Sequence, residues 1–238
     1  MLLNTMTSAE INKQISSEVL KLKQTTMPRL LQEYDRERRR LKVDKNSTYC
    51  KDYRIKTAGK NNWIICVNKP LSQARYTSID EANICCSVYY YSDKGLLLYC
   101  PEEDGRLNVF NAHFLNRYNE RLHLSLCNIT DVIIHFLKND RESYYQVKTE
   151  NGKSSAIAFC KNGMMLGLTE HTAEYNWLIW KTFVSKNLTR KDQGKTDESL
   201  FGYFSTQFEM ESQKIDCDRV QLSMLKNILV SVKGEVRT

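Results

Sequence analysis

One histidine and two arginines recur at a spacing of four residues, at His113, Arg117 and Arg121. On an α-helix each residue advances by about 100°, so the three side chains fall within about 80° of arc and form one stripe. Guanidinium groups donate paired hydrogen bonds that match the oxygen pairs of phosphates and carboxylates. The spacing therefore predicts a cationic helical stripe that holds an anion.

The arc beside this stripe is apolar and carries Phe114, Leu115, Tyr118 and Leu122. An apolar arc packs on a core, so the stripe is expected at the edge of a groove. A structural alternative stays open. His113 would then cap the helix or bond the sheet, and the arginines would pair with carboxylates such as Glu120 or Asp131.

Helical periodicity predicts four more helices. Thr7 and Glu10 make a capping box before a helix over residues 7–24, and a second helix begins at Met27-Pro28. Asn128 is a suitable N-cap for a helix that directly follows the stripe. Residues 217–232 repeat apolar side chains at helical spacing and predict an amphipathic C-terminal helix.

Compact apolar or alternating runs predict the strands, and the polar stretch 42–59 is expected to be a linker. Asn151-Gly152 and Asn162-Gly163 predict tight antiparallel hairpins. The predicted strands cover residues 62–67, 86–91, 96–100, 107–110, 144–148, 155–160, 164–168 and 177–184.

Together these elements predict an α+β protein, in which an antiparallel meander packs on a central helix pair with helices at both termini. The expected divisions are an N-terminal helical segment (1–45), an α+β domain (46–190) and a C-terminal extension (191–238) with the amphipathic helix.

Residues 107–185 resemble the RNase-toxin superfamily, which includes RelE-type toxins and barnase- and colicin-like ribonucleases. The resemblance is strongest to a branch with one histidine followed by two arginines. It rests on the helical stripe, on the order strand, helix pair and antiparallel strands, and on Trp180-Lys181-Thr182-Phe183-Val184 in the last strand. It covers about a third of the chain, and the long segment before residue 107 departs from those compact domains.

The resemblance implies a metal-independent RNA-cleaving site on the sheet. Such a site needs a base for the ribose 2′-hydroxyl, an acid for the departing 5′-oxygen, and cations for the phosphorane charge. His113 would be the base or the acid, and Arg117 and Arg121 would hold the phosphate. Lys181, Thr182 or Ser185 would reach the same site from the last strand.

Three further sets of residues have a chemical and a structural interpretation. Arg38, Arg39 and Arg40 could contact nucleic-acid phosphates, or could form a solvated helix end. His135 lies in an apolar helix and is expected to be a core or cap residue. The eight cysteines contain no C-x-x-C pair, so most are expected to be reduced and buried, and no metal or cofactor is expected.

The composition limits the function classes. A net charge of +7 is compatible with a polyanionic partner. There is no apolar run near the roughly 18–20 residues that cross a bilayer, and no apolar leader, so we expect a soluble cytoplasmic protein. Two classes remain. One is an RNA-binding or ribonuclease-like protein, with or without activity. The other is a non-catalytic bacterial or phage protein whose terminal helices bind a partner or a second copy.

Overall fold

The chain opens with two helices, α1 (Ser8–Thr25) and α2 (Met27–Arg40). Thr7 Oγ1 accepts a hydrogen bond from the Glu10 backbone N–H, and the Glu10 carboxylate accepts one from the Thr7 N–H at 2.8 Å. The predicted capping box is therefore confirmed.

The computed structural model describes residues 1–40, 48–70, 84–93, 95–102, 104–141, 144–150 and 153–186.

Two groups of strands flank a second helix pair, α3 (Ala112–Arg121) and α4 (Ile129–Asn139). Asn111 and Asn128 cap these two helices, as their side chains accept bonds from the N–H groups of Phe114 and Thr130. The strands before the pair are β1 (Thr48–Lys56), β2 (Asn62–Pro70), β3 (Ile84–Ser92), β4 (Gly95–Pro101) and β5 (Leu107–Asn111). Those after it are β6 (Tyr144–Glu150), β7 (Lys153–Cys160), β8 (Gly163–His171) and β9 (Asn176–Ser185).

The predicted antiparallel meander on a central helix pair is wrong. In the described part of the chain, nine strands form one mixed sheet in the order β1-β2-β3-β4-β5-β9-β8-β7-β6. Two antiparallel groups join where β5 and β9 run parallel, with Val109 opposite Ile179. Both strands bury side chains on both faces, which suits the centre of a sheet covered on two sides. Local periodicity cannot reveal this pairing, because the two strands are far apart in sequence.

Helices cover both faces of the sheet. Strand β2 shows the alternation, because Ile64 packs towards α3 and α4 whereas Trp63 and Ile65 pack towards α1 and α2. Met1–Lys186 forms one compact unit. The predicted N-terminal segment 1–45 therefore shares its core with the sheet as far as it is described. The C-terminal extension 191–238 lies outside the described residues.

The sheet curves around α4. This helix contacts β1 at one edge, where Asp131 pairs with Arg54 at 2.8 Å and Lys138 pairs with Asp52 at 2.7 Å. Asp140, directly after α4, accepts a 2.8 Å bond from the Asn162 backbone in the β7–β8 turn. In a flat sheet β1 and β8 would lie roughly 29 Å apart, over twice the width of a helix. This curvature accounts for the burial of six of the eleven residues of α4.

Strand β1 corrects one local prediction, and the hairpin between β7 and β8 confirms another. The stretch 42–59 was expected to be a linker, but Thr48–Lys56 forms the edge strand β1, so that prediction is wrong. Cys160 lies opposite Gly163, which confirms a tight hairpin between β7 and β8, although its two turn residues are Lys161 and Asn162 rather than the predicted Asn162-Gly163 pair. Glu150 lies opposite Lys153, as a hairpin at Asn151-Gly152 requires, although those two residues lie outside the described ones.

Replacing Glu10 with glutamine tests the charge of the capping box, because glutamine keeps its hydrogen-bonding shape. The hydrogen bond from the Thr7 backbone lowers the pKa of Glu10. A lowered native pKa stabilises the fold above the unfolded-state pKa, and this stabilisation is lost as the pH falls through the native value. We expect the free energy of unfolding, measured in urea, to be higher for the wild type than for Glu10→Gln at neutral pH. The difference should vanish in acid. A difference that is constant with pH would contradict this.

Candidate nucleic-acid interface

Helix α3 places the predicted stripe at its outer side. Phe114, Leu115 and Tyr118 are buried under the helix, whereas His113 and Arg117 are exposed and Arg121 is half-buried. The helix begins where the sequence predicts, because Asn111 supplies the cap. Two of the three stripe residues therefore reach solvent.

His113 lies in the first turn of α3, where the helix dipole favours an anion. Its ring is exposed, and no hydrogen-bond partner for it is found among the described residues. The predicted alternative, in which His113 caps the helix, does not hold because Asn111 occupies that position. His113 is thus available to a ligand, but no neighbour orients its ring.

Arg117 makes a weak surface ion pair. Its Nη1 donates to Glu120 Oε2 at 3.0 Å, and the two side chains are 45% and 61% exposed. Exposed pairs of this kind contribute about 0.2–1 kcal/mol, so an arriving phosphate could displace Glu120 at little cost. The pairing with Glu120 agrees with the structural alternative, yet it leaves the guanidinium accessible.

Arg121 has a structural role. Its Nη1 donates to the Phe183 carbonyl of β9. Strand β5 pairs with β9 only as far as Trp180, so the backbone beyond has no β5 partner on that side. Arg121 satisfies a carbonyl that would otherwise be buried without a bond. Asp131, the other predicted carboxylate partner, pairs with Arg54 instead.

A bulge in β9 directs Lys181 and Thr182 away from the stripe. Thr182 lies opposite Leu166 and Trp180 opposite Gly167, which leaves Lys181 as the extra residue. Trp180 and Phe183 both pack towards α3 and α4, so the two residues between them point to the opposite face. The structure therefore does not bring Lys181 and Thr182 together with His113 and Arg117.

The structure places Ser185 in the protein interior and the arginine group of α2 on the other face of the sheet from α3. Ser185 is 2% exposed, and its Oγ has no hydrogen-bond partner within the described chain. Arg39 is exposed on α2, in the helix layer on the other face of the sheet from α3. The side chains of Arg38 and Arg40 lie outside the described residues. The two predicted cationic groups are therefore separate surfaces.

A buried polar network beneath α3 was not predicted from the sequence. Asp140 is fully buried and accepts bonds from Tyr118 Oη at 2.6 Å and from the Asn162 backbone N and Nδ2 at 2.8 Å each. Tyr118 Oη also lies 2.9 Å from Nδ1 of half-buried His135. Burial, and then the bond to Asp140, raises the pKa of Tyr118. The only local signal was a polar residue directly after α4.

The environment of His135 favours a neutral ring. Burial lowers its pKa, and the carboxylate of Asp140 opposes this shift. The sequence predicted a core or cap residue, but His135 is half-buried with one nitrogen held by Tyr118. It is therefore the histidine that its neighbours orient, unlike His113.

The described residues also bear on three other predictions, which concern the cysteines, a metal site and a membrane span. Five of the seven cysteines described are buried, and Cys50 and Cys127 are exposed. Burial raises the pKa of Cys66 to about 12. No cluster of potential metal ligands is found within the described ranges. None of the helices described there is long and apolar enough to span a bilayer.

The N-terminal helices use their apolar sides within the chain. Ile11, Ile15 and Leu22 of α1 are buried in one core with Trp63 and Val88 of the sheet. These side chains are therefore not available to the partner or second copy that the sequence suggested. The predicted C-terminal helix, 217–232, lies outside the described residues.

Comparison of this chain with protein-family models, with curated proteins and with solved structures finds no match.

Proposed function

We propose that this protein binds RNA through the outer side of α3, with Arg117 and His113 contacting phosphate groups. The observation that supports this is their joint exposure on one helical surface. Arg117 gives up only a surface ion pair on binding, and His113 lies at the positive end of the helix dipole. The net charge of +7 favours the approach of a polyanion.

We also propose that residues 107–185 are related to the RNase-toxin superfamily. The order of β5, α3, α4 and the antiparallel strands β6–β9 supports this relationship. The separation of Lys181 and Thr182 from the stripe argues against one catalytic site made of all five predicted residues. RNA binding through α3 is therefore the primary proposal.

Replacing Arg117 with alanine is expected to weaken the binding of a fluorescently labelled single-stranded RNA. We expect a loss on the order of fivefold at moderate salt, corresponding to one charge-assisted contact at a screened surface. The measurement is fluorescence anisotropy. The matched control is Lys13→Ala, which removes one exposed positive charge from α1, a helix on the other face of the sheet.

Equal losses for the two variants would show that net charge alone governs binding, and would contradict an interface on α3. Wild-type protein that does not bind RNA at low salt would contradict the proposed function as a whole.

A further inference from the structure

A cavity of about 540 Å³ lies between α1 and the sheet, next to the turn that joins β4 to β5. Its apolar wall comes from α1, α2 and the sheet, and includes Ile15, Val19, Met27, Ile84 and Leu107. Small-molecule sites typically measure about 300–1,000 Å³ and combine an apolar lining with a few polar groups. The cavity therefore has the size and the wall of such a site.

Five charged side chains also line this cavity, and the cations outnumber the carboxylates. The cations are Lys23, Arg106 and Arg141, and the carboxylates are Glu102 and Asp104. These lining residues therefore carry a net positive charge, which favours an anion over a cation.

Arg141 uses little of its hydrogen-bonding capacity. Its side chain is 23% exposed, and its one hydrogen bond to a described residue runs from Nη2 to Glu102 Oε2 at 3.3 Å. Its Nε is buried and has no hydrogen-bond partner in the described part of the chain. A guanidinium group offers five N–H donors, and burying a charge with few partners is costly. Arg141 therefore has donors left for an anion in the cavity.

Both carboxylates are already engaged by the chain itself. Glu102 accepts hydrogen bonds from Asn108 at 2.8 Å and from Arg141. Asp104 accepts hydrogen bonds from the backbone and the side chain of Arg106. A cationic ligand would have to displace these bonds, whereas an anion would add bonds to Arg141. Hydrogen bonding and charge thus favour the same kind of head group.

The rest of the cavity favours an aliphatic ligand. None of the described residues that line it is aromatic, so a planar ring would find no side chain to stack on. The aliphatic wall continues to Leu20, which is exposed on α1. An aliphatic chain in the cavity would remove part of this leucine from water, which is favourable.

We propose that this cavity binds a small anion with an aliphatic body, whose carboxylate or phosphate group is held by Arg141. Guanidinium groups bind either of these through paired, charge-assisted hydrogen bonds. The site is separate from the proposed RNA-binding surface, because its wall belongs to the core under α1, whereas α3 packs on the other face of the sheet. Loss of one function therefore leaves the other testable.

Calorimetric titration of the full chain with octanoate, octyl phosphate and octanol tests the ligand class. We expect at least one of the two anions to bind roughly tenfold more tightly than octanol, because only the anions make a charge-assisted bond. The tighter anion identifies the head group. Equal affinity for all three compounds, or no binding of either anion, would overturn the proposal.

Arg141→Met tests the proposed anchor, because methionine keeps an apolar stem and removes the guanidinium group. We expect its affinity for the tighter anion to fall roughly tenfold, while its affinity for octanol stays unchanged. The matched control is Arg54→Met, which removes an exposed arginine of β1 and should bind like the wild type. Equal anion affinity in the two variants would overturn the role of Arg141.

Two tryptophan variants of α1 test the location of the site without altering a buried group. Ser16 is exposed and lines the cavity, whereas the neighbouring Ser17 is exposed and does not line it. Ser16→Trp should fill part of the cavity and lower the anion affinity roughly tenfold. Ser17→Trp should bind like the wild type. Equal affinity in these two variants would place the ligand elsewhere and overturn the proposal.

Discussion

Asp140→Ala is expected to lower the free energy of unfolding by about 3–5 kcal/mol. The reason is the set of donors that the carboxylate satisfies. Its removal leaves the buried Tyr118 hydroxyl without its acceptor, and also the backbone N–H and the side-chain amide of Asn162. Each unsatisfied buried group costs about 1–3 kcal/mol. Urea denaturation measures the change.

The control for this prediction is Asp131→Ala, which removes a carboxylate from α4 itself. Asp131 pairs with Arg54 at the surface, where the side chains are 47% and 53% exposed, so we expect a loss below about 1 kcal/mol. If Asp140→Ala proved as mild as Asp131→Ala, the network would not hold the β7–β8 turn to the helix pair.

Glu18→Ala is expected to lower the free energy of unfolding by about 3 kcal/mol. Glu18 is a buried carboxylate on α1, on the other face of the sheet. It accepts bonds from Trp63 Nε1 at 2.6 Å, Asn61 Nδ2 at 2.7 Å and Thr57 Oγ1 at 3.0 Å. The β1–β2 hairpin is thereby fixed to α1, and alanine would leave its donors without an acceptor.

Glu120→Ala provides the comparison for Glu18, because Glu120 is a helical glutamate at the surface with a 61% exposed side chain. Its loss should change stability by less than about 1 kcal/mol. Gly59→Ala tests the position of the Glu18 carboxylate in a second way, because the added methyl group would collide with it. Stability of Glu18→Ala equal to that of Glu120→Ala would show that water replaces the carboxylate without cost.

Local features of the fold could be predicted from the sequence, whereas the strand order could not. The caps Thr7, Asn111 and Asn128 each act within three residues, so spacing alone reveals them. Parallel pairing of β5 with β9 joins residues such as Leu107 and Trp177, which no local pattern connects. The edge strand β1 was missed because it is polar overall, and Lys51 interrupts the apolar face formed by Tyr49, Tyr53 and Ile55.

In the candidate site, too, local features could be predicted from the sequence and long-range contacts could not. Helical spacing correctly grouped His113, Arg117 and Arg121, but it could not show that Arg121 would be held by a carbonyl of β9. One bulge moved Lys181 and Thr182 to the opposite face, and a bulge depends on strand register. Asp140 reaches Tyr118 across 22 residues, so this network too was beyond the reach of local pattern.

The salt dependence of RNA affinity tests the central proposal most directly. For single-stranded RNA, the logarithmic slope of affinity against salt falls by about 0.7 for each phosphate contact that is lost. The proposal predicts this decrease for Arg117→Ala and an unchanged slope for Lys13→Ala. A wild-type slope near zero, or the same slope in the wild type and Arg117→Ala, would contradict phosphate binding by α3.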